Sequence, residues 1–341
     1  MKYAKISQMK YRLSLLLISI VWFTSACQQD KPSGEQKLSK QEKPQQQVPV
    51  FEADSAYLYV QEQLQFGPRV PGSKAQLACA DYFMNYFGDL NLKVQKQSFK
   101  ARTFDNQVLT GYNIIASYKP DRQKRILLCA HWDSRPFADH DPDPSKHRQA
   151  IDGANDGASG VGVLMEVARQ LSMHDAAVGI DIVLFDLEDY GQHADEKPMV
   201  GSENTWGLGS QYWAKNLHQP GYQAQYGILL DMVGAKGAVF AKEFYSRSYA
   251  SNIVDKVWKV AAEIGYANYF VDQEGGYVLD DHVFINKFAS IPTIDIIHYD
   301  QGSGSGFFPH WHTVEDNLDK IDPQSLKAVG QTLLELIYRE K

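Results

Sequence analysis

At 341 residues, 44% hydrophobic and 22% charged, the chain has ordinary globular composition and room for one large domain or two small ones. A formal net charge of −7, with no dense Lys/Arg stripe beyond the N-terminus, gives no reason to expect nucleic acid as a partner. Three cysteines (Cys27, Cys79 and Cys129) imply no disulfide framework.

Residues 1–26 read as a targeting segment: Lys2, Lys5, Lys10 and Arg12 make a basic start, and residues 15–23 form an apolar run too short for a comfortable transmembrane helix. Thr24-Ser25-Ala26-Cys27 then resembles a bacterial lipoprotein signal, with Thr24 where Leu is usual. This predicts cleavage before Cys27, a lipid on its sulfur, and a periplasm-facing lipoprotein of the cell envelope, with the inner and outer membrane both open. A plain signal peptide cut after Ala26 is the alternative. Residues 27–48 are Gln/Lys/Pro-rich without apolar periodicity and read as a flexible tether. Residues 49–341 then form one domain. Cys79 and Cys129 are its only thiols, expected as two buried thiols, with a disulfide between them in an oxidising periplasm as the alternative.

Asp54-Ser55 predicts the cap of a first helix, with Tyr57, Val60 and Leu64 on one face. Ser73 caps a second, running to about Phe87. Strands are expected over residues 92–100, 109–118 and 125–133. The last opens with the apolar run 126–129, ends in His131-Trp132-Asp133, and leads into an acidic, proline-broken loop. After Gly153-Ala154-Asn155-Asp156-Gly157 comes a helix with apolar Val161, Leu164, Met165, Ala168 and Leu171. Residues 180–185 form a buried strand ending in Asp186-Leu187-Glu188-Asp189, and residues 227–230 another ending in Asp231. A helix near residues 252–264 and a strand at 291–297 follow. Asp322-Pro323 opens the last helix, with Pro at the position where its missing N–H costs nothing. Strands alternating with helices predict a single α/β domain: a central mixed, mostly parallel twisted sheet flanked by helices.

Acidic or imidazole groups thus end one apolar strand after another, and each unpaired buried charge costs several kcal/mol. A bound divalent cation resolves that cost, and a mixed Asp/Glu/His set suits zinc. Singly these residues have plainer readings. Asp156 can cap the helix after it, and His131 can be a satisfied core histidine with Asp133 as its orienting partner. The joint pattern favours a metal site.

Taken together, His131-Trp132-Asp133-Ser134, the run 152–160, Glu188-Asp189, Asp231 and His312-Thr313 resemble the clan of co-catalytic zinc aminopeptidases. Within it the chain is similar to glutaminyl-peptide cyclotransferases of the animal type, which also occur in bacteria. The features that carry this are Pro71-Gly72-Ser73, Tyr112-Asn113-Ile114-Ile115, Asp280-Asp281-His282, and above all Trp311 directly before His312.

The resemblance implies one zinc per chain held by Asp156, Asp189 and His312, although the family usually carries Glu where Asp189 stands. It implies Glu188 as general acid/base, and beside it a hydrogen-bonded carboxylate pair of Asp231 with Asp280 or its neighbour Asp281. Trp311 and Trp206 would line the substrate pocket, and the Gly/Ser-rich stretch 299–310 is either a substrate-covering loop or a plain surface loop. The substrate implied is a peptide with N-terminal glutamine, closed to pyroglutamate. The alternative is a two-zinc aminopeptidase, with His131 and Asp231 on one ion, Asp189 and His312 on the other, and Asp156 bridging.

Overall fold

A computed structural model describes residues 47–196, 204–300 and 302–340 of the chain. The targeting segment, Cys27 and nearly all of the tether lie outside the described residues. The folded unit is Gln46–Lys341. Among the described residues no helix is long and apolar enough to cross a membrane.

Six strands build the main sheet: β1 (Lys93–Arg102), β2 (Val108–Tyr118), β3 (Arg125–His131), β4 (Gly179–Phe185), β5 (Gly227–Asp231) and β8 (Thr293–Ile297), in the order β1-β2-β4-β3-β5-β8. β1, β2 and β4 pair antiparallel, whereas β4, β3, β5 and β8 run parallel. The connection out of β3 runs to β4 on one side, and that out of its neighbour β5 runs to β8 on the other. That is a topological switch point, and the crevice it opens lies outside the strands' carboxyl ends.

Every residue of β3, β4 and β5 is buried. Their alternation feeds two cores, as expected of parallel strands covered on both faces. Ile126, Leu128, Ile180, Ile182 and Ile228 face helices α1 (Ala53–Leu64), α3 (Ala158–Met173) and α7 (Pro323–Arg339). Leu127, Cys129, Val183 and Leu229 face α4 (Leu208–Lys215) with its core Trp213. A buried, bidentate Arg125–Asp181 pair (2.6 and 2.7 Å) ties β3 to β4 at the end away from the crevice.

Ser73 caps α2 (Lys74–Asp89) and Asp322 caps α7 as expected, accepting the amides of Gln76 and Gln324. Three expectations shift. α1 starts at Ala53 behind Glu52, whose side chain caps nothing; Asp54 sits within the first turn. Asp156 does not cap α3, because Gly157 occupies the cap position and the Asp156 carboxylate turns into the crevice. The helix expected near 252–264 is α5 (Phe244–Glu263), lengthened because Glu243 accepts the amides of Tyr245 and Ser246.

The sequence did not reveal α4 or the small parallel sheet of β6 (Phe240–Lys242) and β7 (Phe270–Glu274). A short helix α6 (Asp281–Phe284) begins at Asp280, which accepts the Asp281 amide. Cys79 and Cys129 are both free and buried, and burial pushes the Cys79 thiol up to about 12.

Candidate active site

The strand ends at the switch point bring the predicted residues to one place. A pocket of about 250 Å³ is lined by Asp156, Glu188, Asp189, Asp231, Asp280 and His312, with Trp206, Phe307 and Trp311 among its walls. A hollow of about 420 Å³ bordered by Lys236, Gln273, His298 and Asp300 lies apart from these groups.

Each carboxylate is aimed by backbone that the fold pins. Asp316 accepts the amides of Asn155 (2.8 Å) and Asp156 (3.1 Å), and Asn155 accepts the Gly234 amide at 2.8 Å, so the loop before α3 is bolted to the end of β5. Arg69 is fully buried and spans the same loop, donating to the carbonyls of Trp132, Asp152 and Gly153. Three non-glycine residues in the left-handed region flank the site: Leu187 (φ 56°) before Glu188, Met232 (φ 49°) after Asp231, and His312 itself (φ 54°). Such conformations carry strain and persist only where the surroundings dictate them. A Cβ on Gly157 would meet the His131 ring at 2.5 Å, and one on Gly191 would meet Trp206 at 2.0 Å, so both positions admit only glycine.

Asp133 departs only in part from its expected role. Its Oδ1 faces His131 Nδ1 at 3.5 Å, as expected of an orienting partner. The same carboxylate accepts the amides of Glu188 and Asp189, both at 3.1 Å. It therefore also shapes the turn that presents Glu188 and Asp189. On its other side His131 points its Nε2 between Asp156 Oδ1 (3.0 Å) and Asp231 Oδ1 (3.1 Å).

The Asp231–Asp280 pairing also differs. Asp231 bonds to His131, and among the described residues no hydrogen bond joins it to Asp280. Asp280 groups with Glu188 and Asp281. Of the two neighbours, Asp280 lines the pocket while Asp281 is fully buried behind it.

Sequence reasoning missed two residues, Arg135 and Asp139, inside what it read as a loop. Both are buried, and Arg135 holds the two oxygens of Asp139 at 2.7 and 2.5 Å. Arg135 also donates to the Asp189 carbonyl (2.9 Å) and lies 4.7 Å from the Trp206 ring centroid. Burial opposes ionisation of Asp139, but Arg135 and His312 hold its carboxyl well below the usual range. An Arg four residues before an Asp, in a loop between strand and helix, was the available signal.

His312 is stacked on Trp311, ring centroids 3.7 Å apart, with Trp206 nearly parallel at 6.0 Å. Its Nε2 lies 3.1 Å from Asp189 Oδ1 and 3.6 Å from Asp156 Oδ2. A tetrahedral ion about 2.0–2.1 Å from each ligand sets its ligands roughly 3.3 Å apart, so the three fit zinc. The buried atoms Asp156 Oδ2 and Asp189 Oδ2 have no hydrogen-bond partner among the described residues, so their lone pairs are free for a cation to satisfy.

The charge state agrees. Burial, then the neighbouring Asp156, pushes Asp189 up to about 6, and burial pushes Asp231 up to about 7. Burial raises Glu188 well above the ordinary carboxyl range, with Asp280 and Asp281 adding to it against the pull of His131. So many buried carboxylates cannot all ionise without a cation.

Comparison with known proteins agrees with this geometry. Residues 113–337 match peptidase family M28. The structure is similar to a Zn-dependent exopeptidase from Parabacteroides distasonis (50% identity, TM-score 0.85, 86% of this chain and 100% of that one). It is equally similar to a glutaminyl cyclase from Bacteroides thetaiotaomicron bound to N-acetylhistamine (51% identity, TM-score 0.84, 86% and 100%). Among more distant relatives, the glutaminyl-peptide cyclotransferase of Gloydius blomhoffii is 23% identical over 78% of this chain and 75% of its own. Aminopeptidase YwaD of Bacillus subtilis is 28% identical over 74% of this chain, which spans only 49% of that relative's length.

Proposed function

This chain belongs to peptidase family M28, and from that premise we propose that it closes the N-terminal glutamine of peptides to pyroglutamate with release of ammonia. The observation that carries the reading is the small aromatic-walled pocket with a protonatable Glu188 beside the Asp156–Asp189–His312 donor set. The half-identical glutaminyl cyclase of Bacteroides thetaiotaomicron supports it. Cyclisation consumes no water, and a wall of Trp206, Phe307 and Trp311 suits a reaction from which water is kept out.

Asp156, Asp189 and His312 hold the zinc, which supplies a Lewis acid for polarising the glutamine side-chain amide carbonyl. Glu188 takes a proton from the α-amine as its nitrogen bonds to the side-chain carbonyl carbon. The bond from that carbon to the amide nitrogen then breaks, and Glu188 returns the proton to the departing ammonia. A carboxyl raised by burial suits both halves of the task, accepting and giving at neutral pH. Asp280, grouped with Glu188, holds the leaving nitrogen, while Asp231 keeps His131 in place.

One observation favours a second reading, hydrolysis by a two-zinc aminopeptidase: His131, Asp156 and Asp231 also lie at ligand spacing. Their facing atoms, however, already bond one another, with His131 Nε2 between the two carboxylates. On the other side Asp156 Oδ2 faces His312 Nε2 at 3.6 Å with no hydrogen-bond partner among the described residues. We therefore assign one zinc per chain. Release of ammonia from a Gln-initiated peptide, with no free amino acid, tests the assignment of function.

We also propose that the enzyme is tethered to a bacterial cell envelope by a lipid on Cys27, facing the periplasm. The basic start, the apolar run and Thr24-Ser25-Ala26-Cys27 support this.

A further inference from the structure

The catalytic pocket is small, and all but the first residue of a peptide must lie outside it. What stands at its mouth is uneven. Of the residues lining the pocket, Tyr277 (70% exposed) and Leu279 (45%) are the most open, and both are apolar or aromatic. Tyr277 does not stand alone. The Phe244 ring lies 4.0 Å from it, and Tyr245 packs edge-on at 5.8 Å. Phe244 is itself 39% exposed, and water-facing rings cost free energy unless something covers them.

This ledge is built rather than loose. The Gly275 amide donates to the Lys242 carbonyl (2.8 Å), the Phe244 amide to the Gly276 carbonyl (3.0 Å), and the Val278 amide to Glu243 Oε1 (3.2 Å). Glu243 meanwhile caps α5 and accepts from His282 at 3.2 Å, so the same carboxylate anchors the ring-bearing strip and the helix that carries Phe244 and Tyr245. The backbone that carries the rings is pinned and has little freedom left to lose on binding, which is what a recognition surface needs.

Resting on the cyclotransferase reading, we propose that Tyr277, Phe244 and Tyr245 receive the side chains of the second to fourth substrate residues. An extended peptide advances roughly 3.3 Å per residue, so a chain leaving the pocket crosses Tyr277 first and then reaches Phe244 and Tyr245. The ledge selects peptides with aromatic or large apolar residues after the glutamine. Continuity with the pocket, through Tyr277 and Leu279, identifies the substrate as its occupant.

The test compares two tetrapeptides, Gln-Phe-Phe-Ala and Gln-Gly-Gly-Ala, by ammonia release. The wild type is expected to favour the first in kcat/KM by about tenfold or more, chiefly through KM. In Tyr277→Ala/Phe244→Ala that ratio falls toward one, and Tyr277→Phe, which keeps the ring, restores it. A wild-type ratio near one, or a ratio unchanged in the double variant, overturns the proposal. So does a change in sedimentation with the ratio intact, which would make the ledge a contact between copies of this chain. If the wild type turns over neither peptide, the cyclotransferase reading itself falls and takes the ledge with it.

Discussion

Asp139 stands directly behind His312, its Oδ1 3.5 Å from His312 Nδ1, while Arg135 clamps both carboxylate oxygens. An imidazole backed by a carboxylate keeps its proton on that side and turns its other nitrogen, here Nε2, toward the metal position. Replacing Asp139 with Asn removes the charge and loosens Arg135 as well. Zinc affinity should fall about 10–100-fold, read by competition with a chromophoric chelator. Unchanged affinity would mean that the Trp311 stack alone orients His312.

Glu188→Gln should lower kcat by about 10²–10⁴-fold while leaving zinc content intact. The glutamine keeps the shape and burial of Glu188 but can neither accept nor return the proton. Elemental analysis beside the kinetics separates the roles in the pair. Loss of zinc in this variant would reverse the assignment of Glu188 and Asp189.

Much of this site was legible because charged groups at the ends of buried apolar strands have few structural explanations. His131, Glu188-Asp189 and Asp231 follow β3, β4 and β5, and the topology places those three ends side by side. Helix boundaries were readable where a short polar cap stood before an apolar repeat, as at Ser73 and Asp322. Glu243 was not, because a long side chain capping its own helix is an uncommon signal and the Ala250 irregularity breaks the repeat behind it.

The partners of Asp133 and Asp231 were only partly legible, for one physical reason. Sequence gives the residue types but not which of several nearby carboxylates reaches a given donor. Asp133 takes up two backbone amides besides facing His131, and Asp231 meets His131 at 3.1 Å. Arg135 and Asp139 went unseen because a loop rich in Asp and Pro reads as solvated surface, whereas here it folds back and buries both.

His298 gives the fold a pH dependence separable from catalysis. It is 5% exposed, its Nδ1 has no partner among the described residues, and burial pushes its pKa down to about 4. In the unfolded chain an imidazole titrates near 6.5, so between those values the unfolded state binds the extra proton. Stability attributable to this residue is complete above pH ~6.5 and declines as pH falls toward ~4, by about 2 kcal/mol at pH ~5. Urea unfolding of His298→Gln should show a smaller loss between pH ~7 and ~5 than wild type. Equal losses would show that His298 is already charged in the folded protein.

Metal removal distinguishes the two donor sets without substrate. Wild type should carry one zinc per chain. His312→Ala should carry none, since two carboxylates alone hold zinc poorly. His131→Ala should retain its zinc, with some loss of stability from the unpaired Asp156 and Asp231 oxygens. Two zincs in wild type, falling to one in His131→Ala, would establish the two-metal site.

The reaction is an internal displacement, and the mass of the product decides it. A Gln-initiated peptide is incubated with the zinc-loaded enzyme in heavy-oxygen water and the mixture is weighed by mass spectrometry. Cyclisation gives a peptide lighter by one ammonia and carrying no label, because the α-amine and not water attacks the carbonyl. A peptide shortened by its whole first residue, with heavy oxygen in the released amino acid, would make the reaction hydrolysis and not cyclisation.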